Sequence, residues 1–216
     1  MSPLIAFEGT EGSGKTTQLR LLRADLESRG VPVLATREPG GTPIGERVRV
    51  ITNDPASAGM HPRTELLLYL ASRAQLVEQV IKPALAQGVV VLCDRYADST
   101  LAYQGYGRGL DLGLLRELND FATGGLRADL VIYLDLPVEV GLQRRALAHE
   151  RGLDELTRID REEVAFHERV REGYLAMAAA EPGRWFVVDA RLPVGDVQQA
   201  IRRRVEPLLA GQGDRA

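Results

Sequence analysis

The sequence predicts an α/β fold in which a five-stranded parallel sheet lies between two layers of helices. Short apolar runs alternate along the chain with stretches in which apolar residues recur at helical spacing, and this alternation is typical of parallel sheets covered by helices. A glycine-rich loop separates the first apolar run from the first helical stretch, which is the order of elements that a phosphate-binding loop needs. No repeat or low-complexity linker interrupts the pattern. We therefore expect a single domain over residues 1–210 and a flexible tail over 211–216.

The predicted elements follow the two periodicities in chain order. The strands are placed on the apolar runs at 3–8, 32–36, 89–94, 129–135 and 185–189. The helices are placed at 15–29, 43–52, 63–87, 111–122, 137–148, 160–180 and 194–210. The first helix takes its register from Leu19, Leu22 and Leu26 and is expected to end at Gly30. In the longest helix, a stripe facing the core is predicted at Leu66, Leu67, Leu70, Ala74, Val77, Ile81 and Leu85.

The composition argues against several classes of protein. With a formal net charge of −3, the chain has no general attraction for nucleic acid, so any anion site has to be local. Cys93 is the lone cysteine and lies in an apolar run, which excludes a disulfide within the chain and favours a buried thiol. No secretory leader pattern precedes the first strand, and no apolar run is long enough to cross a membrane. We therefore expect a cytoplasmic protein that binds neither membranes nor nucleic acid.

The segment from Gly9 to Thr16 fits the G-x-x-x-x-G-K-[ST] pattern of a phosphate-binding loop. Glycines allow the backbone to curl so that successive N–H groups point into one concavity at the start of a helix. Lys15 is expected to reach the β- and γ-phosphates, and the Thr16 hydroxyl is expected to bind Mg²⁺. The predicted ATP site comprises Gly9, Thr10, Glu11, Gly12, Ser13, Gly14, Lys15, Thr16 and Thr17.

Asp94 directly follows the apolar run 89–93 and has the form of a Walker B acid. Ligands of open parallel sheets bind beyond the carboxyl ends of the strands, so Asp94 is expected beside the glycine loop. There it would hold Mg²⁺ together with Thr16. A helix cap or a partner for Arg95 is the alternative role for this carboxylate.

Three arginines stand on segments that the fold brings towards the same edge of the sheet. Arg37 ends the second strand before a Pro-Gly-Gly turn, Arg95 follows Asp94, and Arg73 interrupts an apolar helical stretch. A guanidinium suits bidentate recognition of phosphate, so their convergence predicts a second anionic substrate, with side chains that simply reach solvent as the alternative. The segment 99–107 adds hydroxyls, an amide and tyrosine rings suited to a planar heterocycle, unless the tyrosines belong to the core.

A polar stretch over 143–160, called the lid below, carries Arg144, Arg145, Arg151 and Arg158. A mobile lid with arginines would exclude water and stabilise charge on a phosphoryl group during its transfer. An ordinary solvated run of charges is the alternative.

Four segments together make the chain resemble the thymidylate kinase family of P-loop nucleoside monophosphate kinases. They are 7–17, Arg37-Glu38-Pro39-Gly40-Gly41-Thr42, Asp94-Arg95-Tyr96 and 99–105. The stretch from Thr64 to Arg73 also resembles the thymine-facing helix of the family, and the likeness spans roughly residues 3–208. The resemblance implies a three-layer P-loop kinase that uses ATP and Mg²⁺ to convert dTMP to dTDP and that forms a homodimer.

The resemblance further implies a set of residues that bind dTMP, namely Glu11, Arg37, Tyr69, Arg73, Arg95, Ser99, Thr100, Tyr103 and Gln104. Arg95 would hold the acceptor phosphate with Arg37 nearby. Tyr69 would stack on thymine, and Arg73 and Thr100 would bind the edge of the base.

The sugar contacts and the catalytic residues are implied in the same way. Glu11 would lie near the sugar 3′-hydroxyl, and Tyr103 would crowd the 2′ position beside Gln104. Some members of the family carry an arginine at the loop position that is Gly12 here, so this chain resembles the bacterial type in which the lid supplies that arginine. The implied catalytic residues are Lys15, Asp94, Arg95, Arg145 and Arg151.

Three other functions are weighed against this interpretation. A deoxynucleoside kinase, whose acceptor is a neutral hydroxyl, would need a carboxylate base and fewer arginines on the acceptor side. A regulatory GTPase is disfavoured because the sequence has no Asn-Lys-x-Asp motif. An ATPase that depends on nucleic acid is disfavoured by the net charge.

Overall fold

The computed structural model describes residues 2–153 and 155–210, with only the backbone of Ala210. The tail predicted over 211–216 lies outside the described residues. The five strands are β1 (Leu4–Glu8), β2 (Val33–Arg37), β3 (Val90–Asp94), β4 (Leu130–Asp135) and β5 (Trp185–Asp189). They form one sheet in the order β2-β3-β1-β4-β5, and every neighbouring pair is parallel. The predicted fold class is confirmed, and each strand begins and ends within one residue of its predicted bounds.

The central strand β1 shows why the sheet needs helices on both faces. Leu4 and Ala6 point into one hydrophobic cluster, whereas Ile5 and Phe7 point into another. All four side chains are fully buried, as the two-residue period of a strand predicts when both faces are covered. The apolar run that forms β1 is therefore a strand buried on both faces of the sheet.

Nine α-helices cover the sheet within residues 2–153 and 155–210. They are α1 (Lys15–Ser28), α2 (Pro43–Asn53), α3 (Pro62–Leu76), α4 (Lys82–Ala86), α5 (Ala97–Thr100), α6 (Leu112–Thr123), α7 (Val138–Glu150), α8 (Val164–Ala180) and α9 (Val194–Ala210). Short 3₁₀ turns lie at Pro55–Ser57 and Ile159–Arg161. None of the helices in this part of the chain is long and apolar enough to cross a lipid bilayer.

The long helix predicted over 63–87 is interrupted by a π-helical turn. α3 continues through Val77–Ile81 in π geometry before α4 begins. Pro83 has no N–H to donate to the preceding turn, and proline inside a helix commonly causes such a local change. The predicted helix 160–180 is also divided, because a 3₁₀ turn at Ile159–Arg161 precedes α8.

The segment after β3 is more regular than the sequence indicates. α5 is followed directly by a π-helical stretch, Leu101–Gly107, which packs against α8. Gly105 and Gly107 lie there at close approaches, since a Cβ at Gly107 would contact Phe166 and Val170. Glycine disfavours helix in a sequence pattern, and this is why no helix is predicted there.

The predicted core stripe of α3 is wrong at one position. Leu66 and Leu70 are buried, but Leu67 is 61% exposed. α3 packs between α2 and α6, and Leu67 points away from all three core clusters. The neighbouring helices α2 and α6 carry further exposed apolar residues. Together with Leu67 they are called the α2–α3–α6 face below: Ile44, Val50, Ile51, Leu67, Leu114 and Phe121.

The sheet brings the chemically active segments to one edge. In the registers of the three adjacent strands, Asp94 is the partner of both Phe7 and Arg37. The glycine loop, the turn after β2 and the Asp94-Arg95-Tyr96 segment consequently start side by side at the carboxyl end of the sheet.

Candidate active site

The phosphate-binding loop turns at three glycines with positive φ. Gly9, Gly12 and Gly14 have φ values of 151°, 70° and 91°, a region that residues with a Cβ rarely adopt. Gly14 precedes α1 without a side-chain cap, so the first N–H groups of the helix are available to an anion. The loop thus has the curled backbone that the sequence pattern predicts.

The loop is in backbone contact with α7, the helix that leads into the lid. A Cβ at Gly12 would overlap the carbonyl oxygen of Gly141, and a Cβ at Gly141 would overlap that of Glu11. No side chain, and therefore no arginine, fits at position 12 in this arrangement. Any arginine that contacts an anion bound at this loop has to come from another segment.

Lys15 is buried, and its ammonium group is held against the loop. Nζ donates to the carbonyl oxygens of Gly9 and Thr10, both at 2.9 Å. Burial, followed by the charge of Arg95, lowers the pKa of Lys15 to about 8, from an ordinary value of 10.5. The cation is thus held in place and only weakly paired, which suits it to a phosphate ligand.

Thr16 and Asp94 meet at the start of α1. The Thr16 hydroxyl donates to Asp94 Oδ2 at 2.7 Å. A hydroxyl and a carboxylate are hard oxygen donors, and Mg²⁺ commonly takes one or two such protein groups together with phosphate oxygens and water. No cluster of three or more His, Cys, Asp or Glu able to hold a metal occurs within residues 2–153 and 155–210. The pair therefore fits a Mg²⁺ that binds with a nucleotide.

Arg95 occupies a left-handed backbone position beside the loop. Its φ is 68°, and within residues 2–153 and 155–210 it is the one residue other than glycine with a positive φ. Nη2 donates to Glu11 Oε1 at 3.0 Å, and the guanidinium carbon lies 4.8 Å from the centre of the Tyr103 ring. Such strained backbone conformations persist where the surrounding structure enforces them. In this conformation the Arg95 guanidinium lines the cavity.

The Glu11 side chain extends from the loop towards Arg95. Its Oε1 also accepts from the Tyr103 hydroxyl at 2.7 Å, and Oε2 lies 3.2 Å from His167 Nδ1. Burial opposes ionisation, but the hydrogen bond with His167 and the charges of Arg95 and Lys15 outweigh it and hold the pKa of Glu11 well below its ordinary value. Glu11 is therefore an ionised acceptor, and His167 Nδ1 is the donor in their contact.

A second carboxylate, Glu8, is fully buried beneath Arg95. Its oxygens accept hydrogen bonds from the Tyr96 N–H at 2.8 Å, the Ser99 hydroxyl at 2.6 Å and the Tyr174 hydroxyl at 2.7 Å. Burial raises the pKa of Glu8 to about 7, in spite of Arg95. Glu8 cannot be recognised as a site residue from the sequence, because as the last residue of β1 it carries no motif of its own.

The predicted base-binding residues Tyr69, Arg73 and Thr100 line one cavity. Arg73 is only 2% exposed; its Nε donates to Glu38 Oε2 at 2.8 Å and its Nη1 to Thr100 Oγ1 at 2.7 Å. Asn119 Oδ1 accepts from the same Nη1 at 2.6 Å. Glu38 Oε1 is buried without a hydrogen-bond partner among the described residues, and Glu38 lines the cavity. Arg73 is thus anchored as a buried ion pair instead of reaching solvent.

Arg37 and Arg49 lie on the side of the cavity formed by α2. Arg37 donates from Nη2 to Glu46 at 2.8 Å and is exposed at the rim. Arg49 Nη1 donates to the Pro39 carbonyl at 3.2 Å, and burial, followed by the charge of Arg37, lowers the pKa of Arg49. Arg49 cannot be recognised as a cavity residue from the sequence, because it looks like one of several surface charges on a short helix.

The four lid arginines have different surroundings. Arg144 Nη1 donates to the Gly12 carbonyl at 3.3 Å, and Arg145 pairs with Asp160 at 2.8 Å. Both line the cavity. Arg151 is exposed at the end of α7 and lies outside the lining, whereas Arg158 is buried and bound to Glu65.

The cavity that these groups surround has a volume of about 570 Å³, within the usual range for small-molecule sites. Most of the residues predicted to bind nucleotides line it: Glu11, Gly12, Ser13, Gly14, Lys15, Thr16, Thr17, Arg37, Tyr69, Arg73, Asp94, Arg95, Ser99, Thr100, Tyr103 and Gln104. Gly9 and Thr10 contribute through the carbonyl groups that bind Lys15. Two cations, Lys15 in the loop and Arg95 beside it, line this cavity.

Comparison with known proteins agrees with this geometry. The family model for thymidylate kinase matches residues 7–201. The chain belongs to the thymidylate kinase family. It is 56% identical over 209 residues to thymidylate kinase of Thermomicrobium roseum, covering 97% of each chain. It is 51% identical over 218 residues to that of Roseiflexus castenholzii, covering 97% of this chain and 95% of the relative.

A solved structure supports the same assignment. The crystal structure of thymidylate kinase from Ehrlichia chaffeensis superimposes with a TM-score of 0.75 at 34% identity, covering 95% of this chain and 98% of the other. As a member of the thymidylate kinase family, the chain is a nucleotide kinase, an enzyme. The resemblance seen in the sequence motifs is therefore confirmed.

Proposed function

We propose that the chain is a single-domain kinase that transfers the γ-phosphoryl group of ATP to the phosphate of dTMP, giving dTDP. The observation that carries this proposal is that two cations, Lys15 in the loop and Arg95, which donates to Glu11, line one cavity. A donor phosphate and an acceptor phosphate each need such a cation, because two anions have to approach each other before transfer.

On the donor side, the loop N–H groups and Lys15 bind the ATP phosphates. Thr16 and Asp94 would hold Mg²⁺, which supplies positive charge to the β- and γ-phosphate oxygens. Asp94 acts in this role, or in orienting its neighbour Arg95, and is not needed as a base: a phosphate monoester has a second pKa near ~6 and is already mostly dianionic at neutral pH.

On the acceptor side, Arg95 and Arg49 bind the dTMP phosphate, with Arg37 at the rim. Arg49 is added to the set expected from sequence because it lines the cavity and is partly desolvated. Glu11 accepts the sugar 3′-hydroxyl, and the Tyr103 ring fills the space at the 2′ position.

The base lies between Tyr69 and the wall formed by Arg73, Ser99, Thr100 and Gln104. Burial raises the pKa of Tyr69 to about 12, so its ring stays a neutral stacking surface. The Thr100 hydroxyl accepts from Arg73, which leaves its own hydrogen free to donate to a carbonyl of the base.

The lid supplies the further positive charge. Arg144 is the arginine best placed at the loop, since it contacts Gly12. Arg145 lines the cavity near it, and Arg151 remains a candidate that has to move with the lid to reach the phosphates.

We further propose a homodimer formed through the α2–α3–α6 face. Phe121 is 88% exposed and Leu67 is 61% exposed on this face, and large apolar side chains grouped on one face mark protein interfaces. A cytoplasmic location and the absence of nucleic-acid or membrane partners stay predictions from sequence.

The proposed activity is tested with a steady-state assay of ATP and Mg²⁺ against dTMP, dUMP, dCMP, dGMP and thymidine. We expect dTMP to give the highest kcat/KM and thymidine to give none. Turnover of thymidine, which has no acceptor phosphate, in preference to dTMP would establish the deoxynucleoside kinase instead.

A further inference from the structure

Glu65, on the first turn of α3, is the centre of a buried polar cluster next to the base wall. It is 1% exposed, and it accepts hydrogen bonds from Gln104 Nε2 at 2.7 Å and from Arg108 Nη2 at 3.2 Å. Arg158, from the end of the lid, also donates to it. The sequence motifs include Glu65 but give it no chemical role.

The charge state of Glu65 is fixed by its donors. Burial opposes ionisation, but the hydrogen bonds from Arg108 and Gln104 and the charges of Arg108 and Arg158 hold its pKa below the ordinary value. An ionised carboxylate can only accept hydrogen bonds. The Gln104 amide therefore has to turn its NH₂ group to Glu65, since its carbonyl oxygen at the same distance would place two acceptors in contact.

This orientation leaves the opposite end of the amide for a ligand. Gln104 lines the cavity, and its Oε1 makes no hydrogen bond within the described part of the chain. Thr100, which presents a hydroxyl hydrogen because it accepts from Arg73, lines the same cavity. The wall thus offers one donor and one acceptor.

A 4-keto pyrimidine matches this pair of groups. Thymine and uracil present a carbonyl acceptor at C4 and an N–H donor at N3, whereas cytosine presents an amino donor and a bare N3 acceptor. Gln104 Oε1 would accept from N3–H and would face the unshared pair of a cytosine N3. Two hydrogen-bond acceptors that face each other in a buried site weaken binding strongly, so cytosine should bind less tightly than thymine.

We infer that Glu65 is a positioning residue for base selection, because it holds the Gln104 carbonyl oxygen towards the substrate and so makes the site require a pyrimidine with an N3–H. This inference rests on the proposed function, and it adds a residue that does not touch the base itself. Glu65 also ties Gln104 to Arg158, so the end of the lid and the base wall share one carboxylate.

The test compares kcat/KM for dTMP, dCMP and N3-methyl-dTMP in the wild type and in Glu65→Gln. The glutamine keeps the shape but can present either an oxygen or an NH₂ group, so Gln104 is free to rotate. We expect the dTMP/dCMP ratio to fall about 10-fold, through a higher KM for dTMP, while kcat at saturating dTMP stays within about 3-fold. The same change should reduce the discrimination against N3-methyl-dTMP.

Glu162→Gln is the matched control. Glu162 accepts from Arg108 at 2.6 Å and lies 3.7 Å from Arg158, but no contact joins it to Gln104. It disturbs the same two arginines and should leave the dTMP/dCMP ratio unchanged. An equal fall of the ratio in both variants would overturn the inference, because it would show a general structural effect.

Gln104→Met provides a second test that does not depend on folding of the Glu65 variant. It should lower the ratio at least as much, and adding Glu65→Gln to it should cause no further fall, since the two residues act in series. An unchanged ratio in Gln104→Met, or additive losses in the double variant, contradicts the inference. A wild type that does not phosphorylate dTMP would instead refute the proposed function.

Discussion

The Thr16 hydroxyl donates to Asp94 Oδ2 at 2.7 Å and thereby joins the start of α1 to the end of β3. These two residues are far apart in the sequence, and the parallel register of β1 and β3 brings them together. Their contact is the structural basis for the proposed magnesium site.

Asp94→Asn should lower kcat by about 10²-fold or more and raise the Mg²⁺ concentration needed for half-maximal rate, because the site loses its one anionic ligand. The measurement is initial rate against Mg²⁺ at fixed ATP and dTMP. Asp189→Asn, at the end of β5 and paired with Arg191, is the control and should behave like the wild type. A normal Mg²⁺ requirement in Asp94→Asn would refute the metal site.

Lys15 should give the reaction an alkaline limit. Its pKa of about 8 means that the ammonium is present below pH 8 and is lost as the pH rises. We expect kcat/KM for ATP, which reports the free enzyme, to fall by about 10-fold per pH unit above about 8. In Lys15→Arg, which keeps its proton, overall activity should be lower but this alkaline fall should disappear. If the fall persists, another group causes it.

Glu8 should make stability depend on pH. Its pKa is raised from 4.5 to about 7, so the folded state holds a proton that the unfolded state releases between these values. The stabilisation that this proton provides is complete below about pH 4.5 and is lost as the pH rises through about 7. The full effect corresponds to about 3 kcal/mol.

The variant Glu8→Gln lacks this dependence. Relative to the wild type, its free energy of unfolding should therefore increase by up to about 3 kcal/mol between pH 5 and pH 8. Urea unfolding at both pH values measures the difference. Glu206→Gln, which removes an exposed carboxylate, controls for general surface charge, and a parallel pH response of Glu8→Gln and wild type would contradict the prediction.

The lid arginines can be separated by single substitutions to alanine. Arg144→Ala should lower kcat by about 10²-fold, because Arg144 already contacts the loop at Gly12. Arg151, exposed at the end of α7, should matter less. Single-turnover rates at saturating substrates are the appropriate measurement. A larger loss in Arg151→Ala than in Arg144→Ala would instead support Arg151, one of the two lid arginines, with Arg145, that the resemblance implies.

The α2–α3–α6 face predicts the oligomeric state. Phe121→Glu places a charge among the exposed apolar residues of this face and should convert a dimer into a monomer, as measured by sedimentation velocity over a range of concentrations. Phe121 is almost fully exposed in the single chain, so the monomer should keep its fold by circular dichroism. A wild type that sediments as a monomer would remove the basis of the proposal.

The sequence predicted the features that depend on local pattern. The five strands, the glycine loop and the position of Asp94 follow from apolar runs and short motifs, because each is determined by neighbours in the chain. The convergence of Lys15, Arg37 and Arg95 on one cavity also follows, since parallel sheets place their active loops at one edge.

The remaining features depend on contacts between distant segments. Glu38 and Asn119 bind Arg73, and neither has a pattern that marks it as its partner. Arg158 looks like a lid arginine in the sequence, but it is buried against Glu65. Leu67 fits the apolar helical stripe predicted to face the core, and yet it is exposed. The spacing of apolar residues does not show which faces of a helix are covered by neighbouring helices.

The backbone contact between Gly12 and Gly141 constrains how this enzyme could be altered. A catalytic arginine placed in the loop would need the first turn of α7 to retreat, and that turn carries the chain into the lid. The loop arginine and the present lid are therefore mutually exclusive designs in this chain. Moving the arginine from the lid to the loop would require simultaneous changes at Gly12 and Gly141. A single substitution at either glycine would therefore not convert one arrangement into the other.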